Sequence, residues 1–177
     1  YFRKMCRENF KTKLIGVFLL LLTGPIHEVF AQLQPWKDAL SENFVREENT
    51  VTPVRFRLVE LDLPFLKTIL RKAPLEYSAN AEAEKLMIEF PMPDGRNVLF
   101  SVMESPILER PEKYPYIKTY IATSTDATMR FDLTPSGFHA MISSSEYGTA
   151  YIDPCSSKGG NQYYSYYRKE LPASPVL

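Results

Sequence analysis

The side chains that could carry chemistry are few, because the 177 residues include only two histidines and two cysteines. Beyond residue 31 only His139 and Cys155 remain. A Ser or Cys nucleophile needs a base, and His139 is the one imidazole left to serve as one. A zinc hydrolase needs several ligands at set spacing, and the chain has no His-Glu-x-x-His motif. We therefore expect no catalytic centre here, with His139 a half-exposed strand residue and a base or ligand role as its alternative.

The segment 153–156 offers a carboxylate and a thiol from a predicted turn, as Asp153 and Cys155. A thiolate or carboxylate presented by a loop can occupy the open position of a catalytic zinc in a partner domain. Asp153 or Cys155 is thus a candidate zinc-blocking ligand in trans. An ordinary loop cysteine is the alternative, since a single Cys is a weak signal.

A tyrosine cluster near the C-terminal end consists of Tyr163, Tyr164, Tyr166 and Tyr167. Aromatic rings supply large amphipathic contact areas, so the cluster is a candidate interface or carbohydrate-binding platform. Two adjacent pairs on one strand put rings on both faces of a sheet. The alternative is therefore that one side enters the core and the other covers it.

Residues 1–31 have the features of a secretory signal peptide. Basic side chains precede an apolar run, 14–22, that is about half of the roughly 20 residues needed for a membrane span. Small residues follow at the positions that signal peptidase requires, so we expect cleavage between Ala31 and Gln32. An uncleaved anchor or a buried core helix is the alternative. Met5 is a plausible initiator, which would make residues 1–4 upstream sequence.

The expected product is a secreted domain, extracellular or periplasmic, that meets the membrane only through its signal peptide. Lys+Arg and Asp+Glu number 21 each, so the chain lacks the electrostatic footprint of a nucleic-acid binder. A composition of 45% hydrophobic and 13% aromatic residues excludes a disordered chain.

The remaining chain divides into a polar arm over 32–53, a folded domain over 54–170 and a linker over 171–177. The arm is expected to be irregular or a short helix. Residues 54–60 alternate as a strand with Val54, Phe56 and Leu58 on one face. Residues 62–72 change to helical spacing behind a capping Asp62.

The rest is predicted to be strands separated by turns, with hairpins over 85–104 and 127–143 and further strands over 117–123, 148–152 and 163–170. The expected fold class is α+β: a mostly antiparallel sheet, as a meander or small sandwich, with one short helix packed on it.

Several sequence blocks resemble the N-terminal, propeptide-like region of secreted reprolysin-like zinc metallopeptidases from Bacteroidetes-type bacteria. The resemblance runs from about Val54 to about Glu170, and its blocks are 56–62, 90–95, 102–106, 114–120, 129–141 and 151–154. Cys155 departs from the pattern, because that position is usually aromatic in the family.

The resemblance implies a pro-region that assists the folding of a downstream catalytic domain, inhibits it, or does both. The partner would be the metalloprotease domain of the same precursor, and the zinc would belong to that domain, beyond Leu177. No zinc ligand carries over to this chain. The alternative is a stand-alone secreted adhesin or glycan-binding β-domain.

Overall fold

The computed structural model describes residues 34–40, 52–79, 81 and 84–172. Within them lie one α-helix and nine strands. The helix, α1, is Leu63–Leu70. The strands are β1 Trp36–Asp38, β2 Arg57–Leu61, β3 Leu86–Pro91, β4 Asn97–Glu104, β5 Lys118–Thr123, β6 Ala127–Thr134, β7 Gly137–Ser144, β8 Gly148–Pro154 and β9 Gln162–Tyr167. Short 3₁₀ turns occupy Pro111–Lys113 and Arg168–Glu170.

All nine strands form one antiparallel sheet in the order β1-β2-β9-β8-β7-β6-β5-β4-β3. Strands β3 to β9 follow one another as a meander. Strand β2 then pairs with β9, although almost the whole domain separates them in sequence. A long twisted meander curls, and here it curls until its two edges approach each other.

Contacts made by three side chains bring the two ends of the sheet together. The Arg57 guanidinium donates from Nη1 to the Arg96 carbonyl at 2.9 Å and to Asn97 Oδ1 at 3.0 Å. The buried Ser165 hydroxyl donates to the Pro91 carbonyl at 2.8 Å. The Trp36 ring lies 6.3 Å from the ring of Phe90 on β3. The result is a nearly closed, barrel-like sheet.

The expected fold class was therefore wrong. About 46% of the described residues lie in strands against a single eight-residue helix, so the domain is mostly β and not α+β. The described residues form one sheet, so a sandwich does not occur. The physical reason is curvature: a curled sheet covers its own apolar inner face and needs no second layer.

The inner face holds the core, which is rich in aromatic side chains. Phe138 is fully buried and contacts four other rings at centroid distances of 5.2 to 6.2 Å, namely those of Trp36, Phe90, Phe131 and Tyr163. The turn before it needs Gly137, whose φ is +125° and whose missing Cβ would lie 3.0 Å from Tyr163 Oη.

Several predicted elements are confirmed. Asp62 caps α1, with its Oδ1 accepting from the backbone N–H of Phe65 at 2.9 Å, and the helix buries Leu66, Ile69 and Leu70. Both predicted hairpins form, as β3–β4 and β6–β7. The turn of the first uses Gly95 at a φ of +94°.

Two local expectations differ from the structure. The arm contributes β1, a three-residue edge strand that carries Trp36 into the core, where the sequence indicated irregular chain or helix. In β2 the core-facing residues are Val59 and Leu61, whereas Phe56 and Leu58 join a smaller cluster on the opposite face. Both faces of β2 are covered, so its alternation did not identify the core side.

Candidate binding site on the outer face

The outer face of the sheet carries two adjacent rows of side chains, each drawn from successive strands at one register level. We call the first the Met–Tyr row; it consists of Met103, Ile121, Arg130, Met141, Tyr151 and Tyr166, each paired with the next across the sheet. We call the second the Asp–His row; it consists of Thr119, Asp132, His139, Asp153 and Tyr164. Both rows point away from the core because the residues between them along each strand point inward.

A chain of hydrogen bonds orients the centre of the Asp–His row. His139 Nδ1 lies 3.1 Å from Asp153 Oδ1, and the Tyr166 hydroxyl donates to Asp153 Oδ2 at 2.7 Å. With Nδ1 engaged, the imidazole presents Nε2 as its other ring nitrogen. The hydrogen bond to Asp153 raises the pKa of His139, and partial burial opposes that shift.

Asp132 lies directly across the strand pair from His139. Partial burial raises the pKa of its carboxyl group, and the nearby imidazole lowers it. Within the described part of the chain, the Asp132 carboxylate accepts no hydrogen bond, and neither Asp132 nor the exposed Arg130 forms an ion pair. Both charged groups can therefore meet a ligand without first breaking a contact.

The two rows enclose an open cavity of about 300 Å³. Its polar lining includes Thr119, Arg130, Asp132, His139 and Asp153, and its apolar lining includes Ile107, Met141 and Tyr151. The Tyr151 ring is held in a tilted contact with Tyr166 at 5.6 Å between centroids. A concave site with an apolar wall and a few converging polar groups is typical of ligand binding.

Cys155 lies apart from this cavity. Its side chain is buried, at 3% exposure, in the small outer cluster with Tyr164 and Tyr166. Burial raises the pKa of the thiol to about 12, and a hydrogen bond with Tyr164 opposes the rise. The thiol is thus neutral and enclosed near neutral pH. Asp153 is partly exposed, but both of its carboxylate oxygens are already hydrogen-bonded, one to His139 and one to Tyr166.

The tyrosine cluster is divided between the two faces of β9. Tyr163 is in the main core, where its hydroxyl accepts from the Phe138 N–H at 3.3 Å. Tyr164 and Tyr166 are buried on the outer side, and only Tyr167 is partly exposed. The structure therefore places most of this cluster in packing, and Tyr166 contributes to the site as a buried support for Asp153 and for the Tyr151 ring.

The sequence did not single out Arg130, Asp132, Met141 or Tyr151. The alternation of the second hairpin does put the first two on one face of β6 and Met141 beside His139 on β7. The register between β7 and β8 brings Tyr151 to Met141 and Asp153 to His139. The alternation within each strand does not specify that register.

Other sequence-based predictions fall outside the described residues. These are the signal peptide over 1–31, the cleavage site at Ala31 and Gln32, and most of the linker over 171–177. In the ranges that the structure describes, no group of three or more His, Cys, Asp or Glu side chains could hold a metal ion. Nor is any helix of those ranges long and apolar enough to cross a membrane.

Comparison of the chain with protein-family models, with curated proteins and with solved structures finds no match in any of the three. The resemblance to metallopeptidase pro-regions stays a prediction, as does the secreted location.

Proposed function

We propose that this domain is the pro-region of a secreted zinc metalloendopeptidase precursor, and that it docks on the catalytic domain through the Met–Tyr row. The catalytic domain and its zinc would follow Leu177. The resemblance of several sequence blocks to such pro-regions supports this assignment. In the fold they fall on β2, on the β3–β4 turn, on the ends of β4 and β5, on the β6–β7 hairpin and on β8.

The observation that carries the docking proposal is the composition of the Met–Tyr row. Two methionines, an isoleucine, two tyrosines and one arginine cross six strands in register. Met, Tyr and Arg are enriched in protein interfaces, where aromatic and Arg side chains act as anchors. Met141 is 45% exposed, and Met87 and Leu99 are further exposed apolar side chains on β3 and β4, outside the row.

The closure of the sheet favours docking by the face over docking by an edge. Strand addition needs an accessible edge strand with unpaired backbone groups. Here one edge, β1, has only three residues, and the two edges lie near each other. The proposal gives no zinc-ligating role to Cys155, whose thiol is buried, and inhibition would come from covering the catalytic cleft.

The first test is to read the same frame beyond Leu177 for a His-Glu-x-x-His-x-x-Gly-x-x-His motif. With the encoded catalytic domain in hand, the chain is titrated against its peptidase activity, and the refolding yield of that domain is measured with and without the chain. We expect inhibition, higher refolding yield, or both. A stop codon directly after Leu177, or no effect in either assay, would refute the proposal.

A matched pair of variants tests the docking face. Met141→Asp places a charge in the Met–Tyr row and is expected to raise the inhibition constant about tenfold or more, because an unpaired carboxylate would be buried in the complex. Ser143→Asp introduces the same charge on the same face of β7, outside the row, and is expected to change it little. Equal effects from both variants would exclude the row as the interface.

A further inference from the structure

We infer that the cavity between the Met–Tyr row and the Asp–His row is a binding site for a neutral, hydroxyl-rich ligand, a saccharide. The inference stands on the cavity alone and does not depend on the pro-region proposal. It also differs from a tyrosine platform on β9, because three of those four rings are buried.

Part of the polar lining of the cavity is held in place before any ligand arrives. Asp132 and His139 face each other across the β6–β7 pair, and Asp153 fixes the imidazole while Tyr166 fixes Asp153. Because His139 and Asp153 are already ordered by these hydrogen bonds, binding does not have to order them again. The polar part of the site thus lies on the strands of the sheet, and the loop between β4 and β5 adds Ile107 to the apolar wall.

The charges of the cavity select against strongly charged ligands. An anion that reaches Arg130 also meets the carboxylates of Asp132 and Asp153, while a cation that reaches Asp132 meets the guanidinium. A hydroxyl group can hydrogen-bond to both kinds of charged side chain, because it donates to a carboxylate and accepts from a guanidinium or an imidazole N–H. Adjacent hydroxyls of one sugar ring present both functions side by side.

The apolar wall matches the other face of such a ligand. Tyr151, Met141 and Ile107 line the cavity, and the Tyr151 ring is held by its contact with Tyr166. The C–H groups of a pyranose ring form an apolar patch that packs on aromatic and thioether side chains. The volume of about 300 Å³ lies at the lower end for small-ligand sites and suits one or two sugar rings.

The test is a titration of the folded chain followed by ¹H–¹⁵N NMR. The probes are the methyl glycosides of glucose, galactose, mannose and N-acetylglucosamine, with the disaccharides maltose, cellobiose and lactose. We expect at least one probe to give saturable shifts at cavity residues with a Kd of about 1 mM or below. If no probe shifts those residues, the inference is overturned.

Charged comparators test the selectivity for neutral ligands. Galacturonate adds a carboxylate and galactosamine adds an ammonium group to the galactose skeleton, and analogous pairs exist for the other sugars. We expect both charged forms to bind more weakly than the neutral parent of the best probe. Tighter binding of either one would overturn the assignment to neutral ligands.

Variants tie the binding to the cavity. Asp132→Asn should weaken the best probe about tenfold, because a charged hydrogen-bond partner is lost. Asp126→Asn makes the same change at an exposed site in the turn before β6 and should leave the Kd unchanged. Arg130→Gln is the second cavity variant; because the Arg130 side chain is exposed and forms no ion pair in the described chain, we expect this variant to fold. Unchanged affinity in the folded cavity variants would place the binding elsewhere and refute the inference.

Discussion

The two faces of the strands β5 to β8 are built on different principles. The inner face is apolar. Its fully or nearly fully buried residues in the aromatic core include Met129, Phe131, Phe138, Ala140, Ala150 and Ile152. The outer face combines charged, polar and apolar side chains in two rows, and its order is visible only across strands. The inner face therefore supplies most of the buried apolar surface that stabilises the fold, while the outer face keeps polar and charged groups accessible.

The largest expected effect is on the inner face, where Phe138→Ala should lower the free energy of unfolding by about 3–5 kcal/mol. The cause is a cavity at the centre of four ring contacts. Urea denaturation followed by fluorescence measures the change. Met141→Ala, three residues along the same strand on the outer face, is the control and should cost less than about 1 kcal/mol. Similar losses in the two variants would remove the distinction between the faces.

A second effect tests the turn that sets the register of both faces. Gly137→Ala should destabilise the domain by about 1–3 kcal/mol, because φ is +125° there and the added Cβ would crowd Tyr163 Oη. Gly95→Ala is the comparison, since its φ is also positive but nothing lies within 4 Å of its Cβ position. A smaller loss for Gly137→Ala than for Gly95→Ala in thermal denaturation would argue against the contact with Tyr163.

The smallest effect concerns the outer face and is a dependence on pH. The pKa of His139 is raised in the folded state, so its pairing with Asp153 stabilises the fold fully below the unfolded pKa of about 6.5. That contribution is lost as the pH rises through the folded pKa. Both side chains are about one third exposed, and solvent screening limits the effect to about 1 kcal/mol or less.

Urea midpoints at about pH 6 and pH 8 measure this contribution. The fall in stability between the two should be smaller in Asp153→Asn and in His139→Gln than in the parent chain. Asp153→Asn also weakens the contact with Tyr166 at every pH, so the comparison uses the difference between the two pH values. An undiminished fall in both variants would show that the pair does not contribute.

The same contrast between faces explains what could be read from the sequence. Alternation within β6 and β7 identified the inner residues Met129, Phe131 and Phe138 and the hairpin that joins them, because both depend on local chain geometry. The capped helix at Asp62 was also local. The nearly closed sheet was not predictable, because it requires β2 to pair with β9 across the six strands that separate them in sequence.

The candidate site was predictable only in pieces. His139 and Asp153 were both singled out, but as unrelated residues of a strand and a turn. Their contact depends on the register between β7 and β8, and the burial of Cys155 depends on how the outer cluster packs. Neither is encoded in the spacing of residues along one segment.

The pairing of β2 with β9 also affects the order in which the strands pair during folding. Each of the strands β3 to β9 can pair with the strand that precedes or follows it in sequence. Strand β2 can pair with β9 only after the whole meander is present, because Leu58 pairs with Tyr164. Contacts so distant in sequence carry a large loop-closure entropy and slow folding. The sheet therefore cannot close until β9 is present, and we expect closure to be the last step in the folding of this domain.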